Sequence, residues 1–151
     1  MKFAEARAAE GENLKNDLMG KLQDMTRQIE RVEERSPQVL EEYRRKLEDK
    51  MQEIFDNTQI DDSRIASEVI LFADKMCVDE EIVRLKSHVE NMKEDLKNGG
   101  DIGRKLDFVA QEMNREANTI LSKANDMEVT NIAIGLKTEI EKIREQIQNI
   151  E

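Results

Sequence analysis

The chain has 151 residues, 38% of them hydrophobic and 38% charged, with aromatics at 3%, one Pro and six Gly. Globular domains average about 45–50% apolar and about 25% charged residues, so the composition excludes an all-β fold, which lacks its turn residues and strand formers here, and points to long helices with solvated faces. The net charge of −10 repels phosphates at long range and confines any nucleic-acid role to a local site.

From Leu18 the apolar residues recur at Leu22, Met25, Ile29 and Val32, a spacing of fours and threes that keeps one seam on a helix face. Ser36-Pro37 predicts a stop near Arg35, with serine as N-cap and proline in the first turn of a second helix. That helix carries Leu40, Tyr43, Leu47, Met51 and Ile54, and the short connection predicts an antiparallel hairpin over residues 1–60. Glu33, Glu34, Glu41 and Glu42, near the expected turn, read as solvated faces.

Asn57 to Asp62 reads as a loop, with Asp61 or Asp62 capping a third helix that bears Ile65, Val69, Phe72 and Ala73. Asp79 is expected to cap a fourth, with Glu80 and Glu81 suited to its positive end and Ile82, Leu85, Val89, Met92 and Leu96 facing the core. Asn98-Gly99-Gly100-Asp101 ends it. A fifth helix is expected over about Ile102 to Asn125, with Leu106, Ala110, Met113, Ala117, Ile120 and Ala124 on its core face. The last runs from near Thr130 with Ile132, Leu136, Ile140, Ile143, Ile147 and Ile150 in register. The predicted fold is all-α: a long antiparallel hairpin, then a C-terminal helical domain over residues 61–151, a bundle of about four helices.

Cys77 and His88 are the only residues of their kinds, which excludes an intrachain disulfide framework and a Cys/His zinc cage. Cys77 reads as a small packed residue and the eight Met as core. No apolar run approaches the ~20 residues of a membrane span, and Met1-Lys2-Phe3-Ala4-Glu5 lacks a signal peptide's apolar stretch. A cytoplasmic protein without a membrane partner is expected.

Residues 104–123 alone escape the acidic balance, with four basic and three acidic residues. Around the core face of this fifth helix, Glu112 and Glu116 lie one turn apart with Lys105 and Lys123 on the same flank. Arg104, Gln111 and Arg115 occupy the opposite side, with Asp107, Asn114 and Asn118 beside them. Two carboxylates one turn apart can share a divalent cation such as Mg²⁺ or Mn²⁺, and arginines hold phosphate oxygens bidentately. The bland alternative is a set of helix-surface ion pairs, each worth about a few tenths of a kcal/mol. The density of Asn and Gln, poor or neutral helix formers that add little to a solvated face, favours a site or a buried polar seam. His88 lies one turn from Arg84 and two from Glu81; histidine is the side-chain type that exchanges a proton near neutral pH.

Several runs carry a family resemblance: Glu80-Glu81-Ile82-Val83-Arg84-Leu85-Lys86-Ser87-His88, Gly103-Arg104-Lys105-Leu106-Asp107-Phe108, Gln111-Glu112-Met113-Asn114-Arg115-Glu116-Ala117-Asn118-Thr119, Ser122-Lys123 and the terminal Ile143-Arg144-Glu145-Gln146-Ile147-Gln148-Asn149-Ile150-Glu151. Together they resemble the C-terminal half of the YicC/YloC family of bacterial stress-linked proteins, and Arg7 to Leu14 resembles the family's middle. The resemblance implies endoribonuclease activity, dependent on a divalent metal in at least part of the family, and assembly into a ring-like homo-oligomer. It also implies that this chain is a C-terminal portion lacking an N-terminal α/β domain. Cys77 stands where the family pattern has aspartate, and Leu121 where it has a small residue.

Two functional readings follow. In the first, RNA phosphodiester bonds are cleaved with His88, Glu112 and Glu116 as catalytic residues, His88 moving a proton, Asp107, Glu112 and Glu116 on the metal, and Arg104, Lys105, Arg115 and Lys123 holding phosphate. In the second, the chain is a helical oligomerisation module whose polar cluster is an intersubunit network.

Overall fold

The computed structural model describes residues 2–55 and 62–150. Among them are five helices and no strand: α1 Lys2–Phe55, α2 Asp62–Met76, α3 Asp79–Asn98, α4 Gly103–Lys123 and α5 Met127–Ile150. The all-α expectation holds and the packing is that of a bundle. The loop expected from Asn57, with its Asp61 cap, falls outside the described residues, as does the side chain of Ile150.

The expected turn at Ser36-Pro37 is absent, because α1 runs through it as one helix. Proline there removes the N–H that would bond the Glu33 carbonyl and crowds it, which costs an interior helix about 3 kcal/mol. Tertiary contacts outweigh that local preference. The Arg35 guanidinium forks onto Asp126 before α5, at 2.9 and 3.1 Å, and onto Glu42 two turns along α1, at 2.7 and 2.9 Å. It therefore staples the helix on both sides of the proline. The Ser36 hydroxyl is turned back to the Val32 carbonyl at 2.8 Å, so it caps nothing. Of the four glutamates read as solvated, Glu33 pairs with Lys86 of α3, Glu41 with Arg45 and Glu42 with Arg35.

An antiparallel hairpin does form, between the second half of α1 and α2. Its register is marked by Tyr43 stacked on Phe72, with ring centroids 3.9 Å apart, and Val39 and Ile65 are buried along it. The first half of α1 belongs to a different body. Leu18, Leu22, Met25, Ile29 and Val32, the predicted seam, are buried with the core faces of α3, α4 and α5. α1 packs on α3 and α5, and α4 packs on both, closing a four-helix ring. The predicted seams of α3 and α5 and the α4 face Leu106, Ala110, Met113, Ala117 and Ile120 are all in this core. At about 25 cal/mol per Å² of apolar surface, burying them dominates the stability of the fold.

Helix starts depart from expectation at two helices. Val78 precedes α3 without a side-chain cap, Asp79 lying already in the first turn. α5 starts at Met127, before Thr130, because Asp126 accepts the Val129 N–H at 3.1 Å as its N-cap. α4 starts at Gly103 after Ile102, again without a side-chain cap. The turn between α3 and α4 is where glycine is required, Gly99 and Gly100 having φ of 69° and 91°.

Candidate functional site on the seam between α3 and α4

The Gly99-Gly100 turn makes α3 and α4 antiparallel neighbours, so residues equally far from Gly100 on either side come level with each other. The flank of α4 predicted to carry Lys105, Glu112, Glu116 and Lys123 lies against a matching stripe of α3. Arg84 Nε donates to Glu116 Oε1 at 2.9 Å, and Lys105 Nζ meets Asp95 Oδ1 at 2.9 Å. Farther from the turn, Lys123 Nζ donates to Glu81 Oε1 at 2.8 Å and to the Cys77 carbonyl at 3.2 Å. The result is a ladder of ion pairs along one edge of the bundle.

Its carboxylates are deep. Glu81 and Glu116 are only 4% and 6% exposed, while their cationic partners reach in from the surface. Burial acts to raise the Glu81 carboxyl, but the Lys123 hydrogen bond, its own backbone N–H and the charges of Lys123 and Arg84 outweigh burial and hold it below its ordinary value. The same pairs raise the cations, Arg84 through Glu116 and Lys123 through Glu81. Glu81 Oε2 and Asp95 Oδ2 are buried without a hydrogen-bond partner.

His88 and Glu112 lie equally far from the turn, level with each other between the Arg84–Glu116 and Lys105–Asp95 rungs. Both are half-buried. The His88 side chain has no hydrogen bond to a described residue, and the Glu112 carboxylate meets only Arg115, at 3.9 Å. The structure thus brings His88, Glu112 and Glu116 to one seam. Arg104 and Arg115 are exposed nearby, and Arg104 has no ion-pair partner among the described residues. Lys105 and Lys123, expected on phosphate, are bound to Asp95 and Glu81.

Asp107 does not join them. It sits on the far side of α4, where it accepts from Gln111 at 3.0 Å and from Arg144 of α5 at 3.3 Å. Glu116 has one oxygen committed to Arg84 and is enclosed by α3. The set Asp107, Glu112 and Glu116 therefore does not fit a single divalent cation, since three ligands must converge and these point to two different helices. Among the described residues, no three His, Cys, Asp or Glu side chains gather closely enough to hold one. Of the other polar residues of α4, Asn114 is half-buried and Asn118 exposed.

A family model described as Endoribonuclease YicC-like, C-terminal, matches residues 32–151, which takes in the proline of α1 and every rung of the ladder. The chain belongs to this family. Among its YicC-like relatives, the probable endoribonuclease YicC of Clostridioides difficile (strain 630) is 46% identical over 152 residues, covering 100% of this chain and 52% of the relative. The probable endoribonuclease YicC of Haemophilus influenzae (strain ATCC 51907 / DSM 11121 / KW20 / Rd) is 40% identical over 149 residues, covering 99% and 51%. The chain spans about half the length of these curated relatives. In the YicC-like frame, the acidic partners on α3, Glu81 and Asp95, are what sequence reading missed. The signal for them was present, because a two-glycine turn between two amphipathic helices sets their register.

Proposed function

We propose that this chain is the C-terminal part of a cytoplasmic endoribonuclease that cleaves RNA phosphodiester bonds with Mg²⁺ or Mn²⁺, and that the α3–α4 seam contributes to the reaction. The observation that supports this most is the placement of His88 level with Glu112, half-buried and without competing hydrogen bonds from described residues, in a chain whose relatives are named probable endoribonucleases. His88 would move the proton at the attacking or leaving oxygen, Glu112 would orient that group, and Arg104 and Arg115 would hold phosphate. Glu116 and Lys123 position the seam through Arg84 and Glu81. The ion would be held outside the Asp107–Glu112–Glu116 set. Cleavage of a structured RNA in EDTA, Mg²⁺ or Mn²⁺ by the wild-type chain, His88→Ala and Glu112→Gln tests the reading. Metal-dependent cutting lost in both variants, with unchanged thermal melting, is expected; cutting that both retain overturns the assignment.

A second reading, a helical module that assembles the protein into a homo-oligomer and does not cut by itself, draws on a different observation. α2 packs on α1 and leaves Ile70 and Leu71 exposed on the hairpin. An assembly that light scattering detects in wild type and loses in Ile70→Glu, with no cutting by the folded chain, would favour this reading. No helix among the described residues is long and apolar enough to cross a membrane.

A further inference from the structure

Phe108 is a large apolar side chain left at the surface of α4, 61% exposed. The other aromatics with described side chains, Tyr43 and Phe72, stack on each other. Folding gains little from an exposed phenylalanine, which is only a middling helix former. Its neighbours are informative. Arg104 lies one turn before it and Arg115 two turns after, and at 100° per residue the three fall within about 40° of one another. Arg115 has a side chain 75% exposed, and Arg104 has no ion-pair partner among the described residues. Gln111 borders the same stripe, and Glu112 lies at its edge, between it and His88.

We infer that Arg104, Phe108 and Arg115 form a binding face for unpaired RNA, in which a base stacks on the Phe108 ring and the arginines take the flanking phosphates. The chemistry matches single-stranded nucleic acid in two respects: every base offers a face to an aromatic ring, and guanidinium forks suit phosphate oxygens. A protein partner is a poorer match. Such docking takes an apolar patch of a few hundred Å², and the exposed face of α4 presents one large apolar side chain between two cations. The placement also overcomes the charge of the chain. A net −10 opposes phosphate from a distance, and the stripe belongs to the one segment with a basic excess.

The inference deepens the endoribonuclease reading by naming unpaired nucleotides as the substrate class, and it rests on that reading for the choice of nucleic acid. Its test is independent of cleavage. Fluorescence anisotropy would measure binding of a labelled, unstructured 12-nucleotide RNA, and of its duplex with the complementary strand, to the full chain in EDTA. Phe108→Ala is expected to weaken single-strand binding about tenfold, the scale of one stacked base, and to leave duplex binding nearly unchanged. Phe108→Trp should bind as tightly as wild type or more so, and Phe108→Leu, apolar without a π face, should be as weak as the alanine variant. Arg104→Gln and Arg115→Gln should each weaken binding and flatten its salt dependence. Leucine binding like phenylalanine, no measurable binding by the wild-type chain, or a shift in oligomeric state on Phe108→Ala would overturn the proposal, the last by making the stripe a protein interface. Binding that depends on Phe108 while His88→Ala still cuts would sustain this inference and overturn the catalytic one.

Discussion

Arg84 on α3 reaches Glu116 on α4 with a 2.9 Å hydrogen bond, and this contact joins the two helices at a point where the carboxylate is nearly out of water. A buried carboxylate is tolerated because a cation answers it, and removing the cation alone strands the charge.

Arg84→Met should therefore lower the thermal midpoint more than the double variant Arg84→Met, Glu116→Gln, in which the charge has gone as well. Thermal melts of the wild type, both single variants and the double close the cycle. Additive losses would mean that the pair is not coupled.

Pro37→Ala reports on the unbroken α1. Alanine restores the missing N–H within a helix, and the chain should gain about 1–3 kcal/mol against urea, less than the full helical penalty of proline because the unfolded chain also becomes freer. A loss of stability would put a turn at Ser36-Pro37.

Stability should also fall in acid with a definite sign. Glu81 is held below its ordinary value against burial by Lys123, its own backbone and Arg84, and Asp126 and Glu42 are held low chiefly by Arg35. Groups with depressed folded values stabilise fully above their unfolded values, near 3.8 for Asp and 4.5 for Glu, and lose that contribution as pH falls through the folded ones. Melting followed by circular dichroism should change little between about pH 7 and 5 from these groups and drop below about pH 4.5. Asp126→Asn should make the acid drop shallower; an equally steep drop would remove Asp126 from the account.

In the core, Ile143→Ala should cost about 2–5 kcal/mol by urea denaturation, since its side chain is fully enclosed by the bundle. A cost below about 1 kcal/mol would mean that the site collapses around the missing atoms.

The helical seams could be read from sequence because burial imposes a period, and Leu18 to Val32 or Ile132 to Ile147 admit only one face inward. The Ser36-Pro37 break misleads for a physical reason: the local preference of proline is outweighed by Arg35, which hydrogen-bonds carboxylates 7 and 91 residues away and also pairs with Glu128. The candidate site was half legible. Periodicity placed Glu112, Glu116, Lys105 and Lys123 on one flank of α4 but could not say that α3 would answer three of them with Arg84, Asp95 and Glu81. Asp107 departs from the expected ligand set because proximity along a helix says little about which neighbouring helix a side chain meets, and it accepts from Arg144 of α5.

The unbroken α1 also makes the molecule a lever. About twenty of its residues extend past Pro37 toward the tip of the hairpin, some 30 Å at 1.5 Å per residue. A tilt of about 10° at the proline would sweep that tip by about 5 Å, carrying α2 and its exposed Ile70 and Leu71 with it. At the foot of that arm the doubly forked Arg35 ties the segment before the proline both to Glu42 beyond it and to Asp126, the residue just before α5.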